Sequence, residues 1–211
     1  MLDNKKLKHL QGEFLMQYPG GFSDPEMAKI AKRHNVDRMT LLTQECFTVS
    51  GCANVHTAAE NMVKVISRSS MVSMFEKPKF RDFVKGLNEH DKAFMVNALA
   101  KFLHNKSESK QRAAFEALVD ILKTEKLAKW SLVTIIPAYY SPRREVFVKP
   151  TTAKNILRYF EIDDPVYKPT PTWDFYKKYR KLINEGKTRV DSSLSPSNAA
   201  FSGFLMMTVK S

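Results

Sequence analysis

The sequence predicts an all-α protein, mainly a helical bundle, with at most one short hairpin or extended segment near residues 131–149. Three observations carry this. The 211 residues include only 7 glycines, too few for the many tight turns of an all-β sandwich. Apolar residues recur at helical spacing through the first 125 positions. Capping residues stand where those periodic stretches begin.

In chain order, FSDPEMAKIAKRH offers Ser23 or Asp24 as N-cap, Pro25 at the first helical position and Glu26 at the positive end of the dipole. Residues 53–68 form a helix with Val55, Ala59, Met62, Val63 and Ile66 inward, and Gly51 marks its upstream break. Phe80, Phe83, Val84 and Leu87 follow at i, i+3, i+4 and i+7. Glu89 to Leu103 repeats the pattern with Phe94, Met95, Ala98, Leu99, Phe102 and Leu103. Ser107 caps a further helix whose apolar face is Ala114, Phe115, Leu118, Val119 and Leu122. Short loops between such elements imply antiparallel neighbours in a bundle spanning about residues 22–125.

The texture changes at Lys129. WSLVTIIPAYYSPRREVFVKP is β-branched and aromatic, and Pro137, Pro142 and Pro150 rule out one continuous helix. It reads as a short strand or extended segment, with a faint hairpin pattern at 146–149. Its apolar content, from Trp130 through Ile136 and on to Phe147 and Val148, requires it to pack on the bundle, since burying one such side chain contributes roughly 1.5–3 kcal/mol. Helices resume at Thr151/Thr152 and at Thr172, the second ending at Gly186 as a C-cap. DDPVYKPTP between them is a proline-rich strap. In the tail, NAAFSGFLMMTV, the small residues Ala199, Ser202 and Gly203 permit close packing. The expectation is a single domain over 1–211, with an aromatic and basic part at about 129–211 packed on the bundle.

A composition 43% hydrophobic and 27% charged is that of a globular protein. Apolar runs fall short of a bilayer span, so no membrane association is expected. The N-terminal residues lack a signal-peptide core and there are only two cysteines; both point to a cytoplasmic protein. No repeat of 20–50 residues is visible.

The net charge of +12 is unevenly spread. From Lys123 to Val190 there are 15 Lys+Arg against 7 Asp+Glu, together with both tryptophans and six of the seven tyrosines. Cations interleaved with flat rings suit phosphates and bases. Arg143, Arg144, Lys149, Lys154 and Arg158 form one candidate cluster for nucleic acid; Lys177, Lys178 and Lys181, with Arg180, form a second. Helical spacing nevertheless separates Trp173, Tyr176 and Tyr179 from most of those lysines, which favours the rings as core.

Other constellations are weaker. Ala31, Asn35, Val36 and Leu41 match the spacing of a helix-turn-helix, with Arg38 and Thr40 outward and Lys32 and Arg33 near phosphates; His34 interrupts the pattern, and two ordinary amphipathic helices are the favoured reading. Cys46-x5-Cys52, with His34 and His56, lacks a standard zinc spacing. Glu161, Asp163 and Asp164 offer oxygen ligands but read as solvated loop acids. No P-loop, G-x-G-x-x-G, G-x-S-x-G or H-E-x-x-H is present, so no catalytic residue, cofactor or metal is assigned.

YPGGFSDPE, the W-x3-T-x2-P run from Trp130 to Pro137, Lys149-Pro150 and Trp173-x2-Tyr176 together resemble a widespread set of uncharacterised bacterial proteins. The resemblance implies a bacterial, cytoplasmic, single-chain protein, and carries no activity, cofactor or active-site residue. The leading functional expectation is a nonenzymatic nucleic-acid-associated protein working through phosphate contacts. Its rivals are an interaction module whose basic face meets an acidic protein partner, and an enzyme with an unrecognised site.

Overall fold

A computed structural model describes residues 1–209, leaving out the side chains of Ala31 and Arg33. Among the described residues the chain is all α, without a strand. Its helices are α1 (Asn4–Gln17), α2 (Pro25–His34), α3 (Val36–Cys46), α4 (Val49–Ala53), α5 (Val55–Arg68), α6 (Glu76–Gly86), α7 (Glu89–His104), α8 (Glu108–Lys123), α9 (Trp130–Tyr140), α10 (Pro150–Tyr159), α11 (Trp173–Lys187) and α12 (Asn198–Thr208). Two 3₁₀ turns, Gly21–Ser23 and Ser192–Leu194, punctuate them.

Side-chain caps set several of these boundaries by satisfying first-turn N–H groups. The Asp3 carboxylate accepts from the Lys6 N–H at 2.8 Å and that of Asp24 from the Glu26 N–H at 3.0 Å. Asn54 accepts from Thr57, Asn88 from Asp91, and Ser197 from Ala200. The break before α5 therefore lies at Asn54, not at Gly51. Gly51 sits inside α4, where its N–H bonds Thr48 Oγ1 and an added Cβ would lie 2.7 Å from the Cys46 carbonyl oxygen.

The centre of the fold is α9. Trp130 and every residue from Leu132 to Tyr139 are buried, and α3, α5, α7 and α8 pack around the helix. This is the run whose β-branched and aromatic content reads as strand. A helix enclosed on all sides is apolar all round and loses the amphipathic period by which helices are recognised. Pro137 lies within it; the ring forfeits one backbone hydrogen bond, and the surrounding packing holds the helix despite that loss.

The extended segment is confined to residues 145–149 and pairs with no strand. Side chains replace the sheet partner. The Val148 N–H donates to Thr134 Oγ1 at 3.0 Å, and the Val146 N–H reaches Tyr176 Oη at 3.4 Å. Thr134 Oγ1 in turn donates to the Trp130 carbonyl at 2.6 Å. Val146 and Val148 are fully buried, so this strap closes over α9 and leads directly into α10.

One continuous apolar core runs from Leu2 to Val209, so the segments before and after Lys129 share an interior. Part of it is an aromatic cluster: Phe102 of α7, Phe115 of α8, Trp130 of α9 and Trp173, Phe175, Tyr176 and Tyr179 of α11. The Phe115 and Tyr176 rings stack at 5.2 Å, and those of Phe175 and Tyr179 at 5.5 Å. At the other end of α11 the helix continues through Gly186 to Lys187. Gly186 is thus a contact point and not a C-cap: a Cβ there would meet the Leu2 side chain at 2.5 Å and the Phe201 ring at 3.0 Å.

Candidate anion-binding surface

An extensive polar cluster surrounds Glu145, at the start of the strap. Its side chain is only 2% exposed. Arg180 Nη1 lies 2.8 Å from both carboxylate oxygens, Arg144 Nε donates at 2.9 Å, and the Tyr176 hydroxyl donates at 2.7 Å. The Arg180 guanidinium also lies over the Trp173 and Tyr176 rings, at 5.4 and 5.5 Å. Burial, followed by the neighbouring Glu145 charge, drives the Tyr176 phenol well above the ordinary tyrosine range. Burial works against the Arg180 charge, but Glu145 and then Tyr176 outweigh it, and the guanidinium is held more firmly protonated.

A second layer secures the backbone around that carboxylate. Asn198 Nδ2 donates to the Glu145 carbonyl at 3.0 Å and Asn184 Nδ2 to the Arg144 carbonyl at 2.8 Å. Lys187 Nζ bonds the Arg143 carbonyl and Asn198 Oδ1; burial, then Arg143, lowers its pKa. Every group in this cluster finds its partner inside the protein, so its role is to clamp residues 143–146 to α11 and α12. It is a structural lock, and sequence reasoning passed over Glu145 because a lone acid within a basic stretch gives no sign of being buried.

The predicted phosphate contacts divide into two groups. On α11, Lys177 pairs with Glu108 at 2.6 Å, Lys178 with Asp164 at 2.8 Å and Asp174 at 3.1 Å, and Lys181 with Glu185 at 3.7 Å. That basic run is locally matched by carboxylates. Arg144 is tied to Glu145, while Arg143 is exposed with its carbonyl held by Lys187. On α10 the situation differs. Lys149, Lys154 and Arg158 are all exposed, and among the described residues none of the three forms an ion pair. Lys149 Nζ lies 3.8 Å from Met206 Sδ, Lys154 sits 5.6 Å from the centroid of the Tyr167 ring, and Arg158 bonds Asn155 at 3.2 Å. The rings of this stretch that would stack bases are interior: Trp130, Trp173, Tyr176 and Tyr179 are at most 5% exposed.

The remaining candidates resolve as follows. Asn35 adopts the left-handed conformation, φ 45° and ψ 42°, between α2 and α3, as a helix-turn-helix turn requires. Leu41, however, which that motif would bury, is 61% exposed, and the Ala31 and Arg33 side chains fall outside the described atoms. Cys46 and Cys52 are free thiols, each raised in pKa chiefly by burial. His34 bonds Ser70 and His56 lies beside Glu60. Glu161 pairs with Lys6, and Asp164 with Lys178. Among the described residues no group of three His, Cys, Asp or Glu is placed to hold a metal ion.

A cleft of about 720 Å³ opens beside this basic surface. Lys77 at the start of α6, Lys129 just before α9, and Lys149 just before α10 line it, together with Met71, Met74, Phe147 and Tyr167. Its one carboxylate, Glu76, accepts from Ser131 Oγ at 2.6 Å. Lys77 and Lys129 are remote in sequence from the basic stretch, which is why charge counting along the chain overlooked them.

No family model, curated protein or solved structure matches this chain. The motif segments of the sequence have structural duties. Trp130, Thr134 and Tyr176 hold the strap and its surrounding core. Gly21 of YPGGFSDPE takes φ +57° against Ser193. Among the described residues no helix is long and apolar enough to cross a membrane.

Proposed function

We propose that this protein is a nonenzymatic nucleic-acid-associated protein that binds phosphates through the exposed basic face of α10. The observation that carries this reading is the trio Lys149, Lys154 and Arg158, exposed and outside any ion pair among the described residues. Lys154 and Arg158 stand four residues apart on one helical face, with Lys149 at the helix start and Arg143 further along the surface. Lys177, Lys178 and Lys181 contribute less, because binding a phosphate there first requires breaking contacts to Glu108, Asp164, Asp174 or Glu185. With its large rings in the core, the surface offers charge and few stacking platforms. Duplex binding is therefore indifferent to sequence, because phosphate contacts position without specifying.

The test is a fluorescence-anisotropy titration with double- and single-stranded oligonucleotides at two salt concentrations. Log affinity should fall with log salt by about 0.9 per phosphate contact on duplex DNA. The double variant Lys154→Glu/Arg158→Glu should weaken binding to all sequences alike and flatten that slope, and Lys177→Glu/Lys181→Glu should do so less. Absence of micromolar binding at low salt would remove the reading. The competing reading, an acidic protein partner, is favoured by Met74 and Phe75, which stand 73% and 75% exposed near the same surface.

A further inference from the structure

We propose that the cleft lined by Lys77, Lys129 and Lys149 is a binding site for a small phosphorylated ligand carrying a flat ring, of the nucleoside diphosphate class. Its volume of about 720 Å³ lies within the roughly 300–1,000 Å³ of small-molecule pockets. Three lysines from three separate elements meet in it, although residues 77, 129 and 149 are far apart in sequence. The single carboxylate in the lining, Glu76, is engaged by Ser131, and no other acid lines the cleft. Three lysines against this one carboxylate charge leave the lining net cationic, which suits a diphosphate. Helices α6, α9 and α10 all begin on the rim without a side-chain cap, so their positive ends reinforce the lysines.

The rest of the lining is apolar and sets the other half of the ligand. Phe147 and Tyr167 are half-buried and line the cleft with part of each ring open; Met71 and Met74 complete that side. Polarizable thioethers and aromatic faces suit a planar base, which a bare inorganic anion lacks. The strap places Phe147 here: with Val146 and Val148 inward, the alternation of an extended segment turns the intervening residue outward. This site shares Lys149 with the nucleic-acid reading but goes beyond it, because Lys77 and Lys129 are not among the proposed phosphate contacts and Lys154 and Arg158 do not line the cleft.

The experiment uses the full chain labelled at its methionine methyl groups, titrated with ADP, inorganic pyrophosphate and adenosine at low salt, with calorimetry in parallel. ADP should shift the Met71 and Met74 signals with a dissociation constant below about 1 mM. Pyrophosphate should bind at least about tenfold more weakly, and adenosine should not saturate. Lys77→Met/Lys129→Met should weaken ADP at least about tenfold while duplex DNA affinity changes little. Since Lys77 is half-buried, Lys129→Glu at an exposed position is the second variant, and it should show the same loss with an unchanged circular dichroism spectrum. The proposal is overturned if ADP fails to shift these signals, if pyrophosphate binds as tightly as ADP, or if folded Lys129→Glu binds ADP normally. Failure of DNA binding alone leaves it standing.

Discussion

Arg180 Nη1 lies 2.8 Å from both carboxylate oxygens of Glu145, a side chain only 2% exposed, and so ties the middle of α11 to the chain leaving α9. The two residues are 35 positions apart. Between them the chain forms the strap, turns through α10, crosses the proline-rich loop and enters α11. This pair fixes where α10 begins and therefore where Lys149 and the cleft stand.

Removing one partner of a buried pair is costly because the other remains charged and dry. Glu145→Ala should destabilise the protein by about 3–5 kcal/mol in urea denaturation, since Arg180 keeps only 16% side-chain exposure. The surface pair Arg112 and Glu116, both about half-exposed or more, serves as the control. Arg112→Ala should cost less than about 1 kcal/mol. Equal losses for the two would show that the Glu145 cluster is hydrated in solution.

Most of the helical architecture was legible in the sequence, and the exceptions share a physical cause. Helices α6, α7 and α8 each keep a polar face, so the spacing of Phe80, Phe83 and Val84, of Leu99, Phe102 and Leu103, and of Phe115, Leu118 and Val119 announces them. Helix α9 has no polar face and carries Pro137, so it resembles a strand. The basic composition of the last third was legible too, but composition does not tell a lysine facing Glu108 from one facing water. Lys77 and Lys129 join Lys149 only through the packing of α6 and α9, which no local pattern encodes.

Alkaline pH should unfold this protein through its buried phenols. Burial raises the pKa of Tyr176, Tyr179 and Tyr139 above the usual value near 10. In the unfolded chain these phenols lose their protons at about pH 10, whereas in the folded chain they keep them. Their contribution to stability is thus fully present below pH 10, and declines as the pH rises from there toward the folded values. Stability measured by denaturation should begin to decline above about pH 8.5, where the unfolded thiols of Cys46 and Cys52 ionise while burial keeps them protonated in the fold, and should fall more steeply beyond about 9.5 as the phenols follow. Tyrosinate absorbance of these rings should appear together with loss of helical circular dichroism. Full ionisation of all seven tyrosines in a folded protein would contradict this.

Gly21 should not accept a side chain. Its φ of +57° lies in the left-handed region, and a Cβ would fall 2.4 Å from Ser193 Oγ and 2.8 Å from the Ser193 carbonyl oxygen. Gly21→Ala therefore incurs backbone strain and forces apart the two 3₁₀ turns, for a loss of about 1–3 kcal/mol. Gly12 has open space around its Cβ position and lies within helix α1. Gly12→Ala should instead stabilise by up to about 1 kcal/mol. Thermal unfolding of the two variants side by side should move in opposite directions.

Thr134 holds the strap that carries Phe147 and Lys149. It is buried, its Oγ1 accepts the Val148 N–H at 3.0 Å, and it donates to the Trp130 carbonyl at 2.6 Å. Valine preserves its shape but leaves the Val148 N–H without an acceptor in a buried position, at a cost of about 1–3 kcal/mol. Thr134→Val should therefore speed amide hydrogen exchange at Val148 by an order of magnitude or more, since each 1.4 kcal/mol of local opening is about tenfold. Exchange in α7 and α8, which do not rely on the strap, should follow only the change in global stability. If Val148 exchanges no faster than those helices, the strap is held by the burial of Val146 and Val148 alone, and the hydroxyl of Thr134 serves α9 rather than the segment above it.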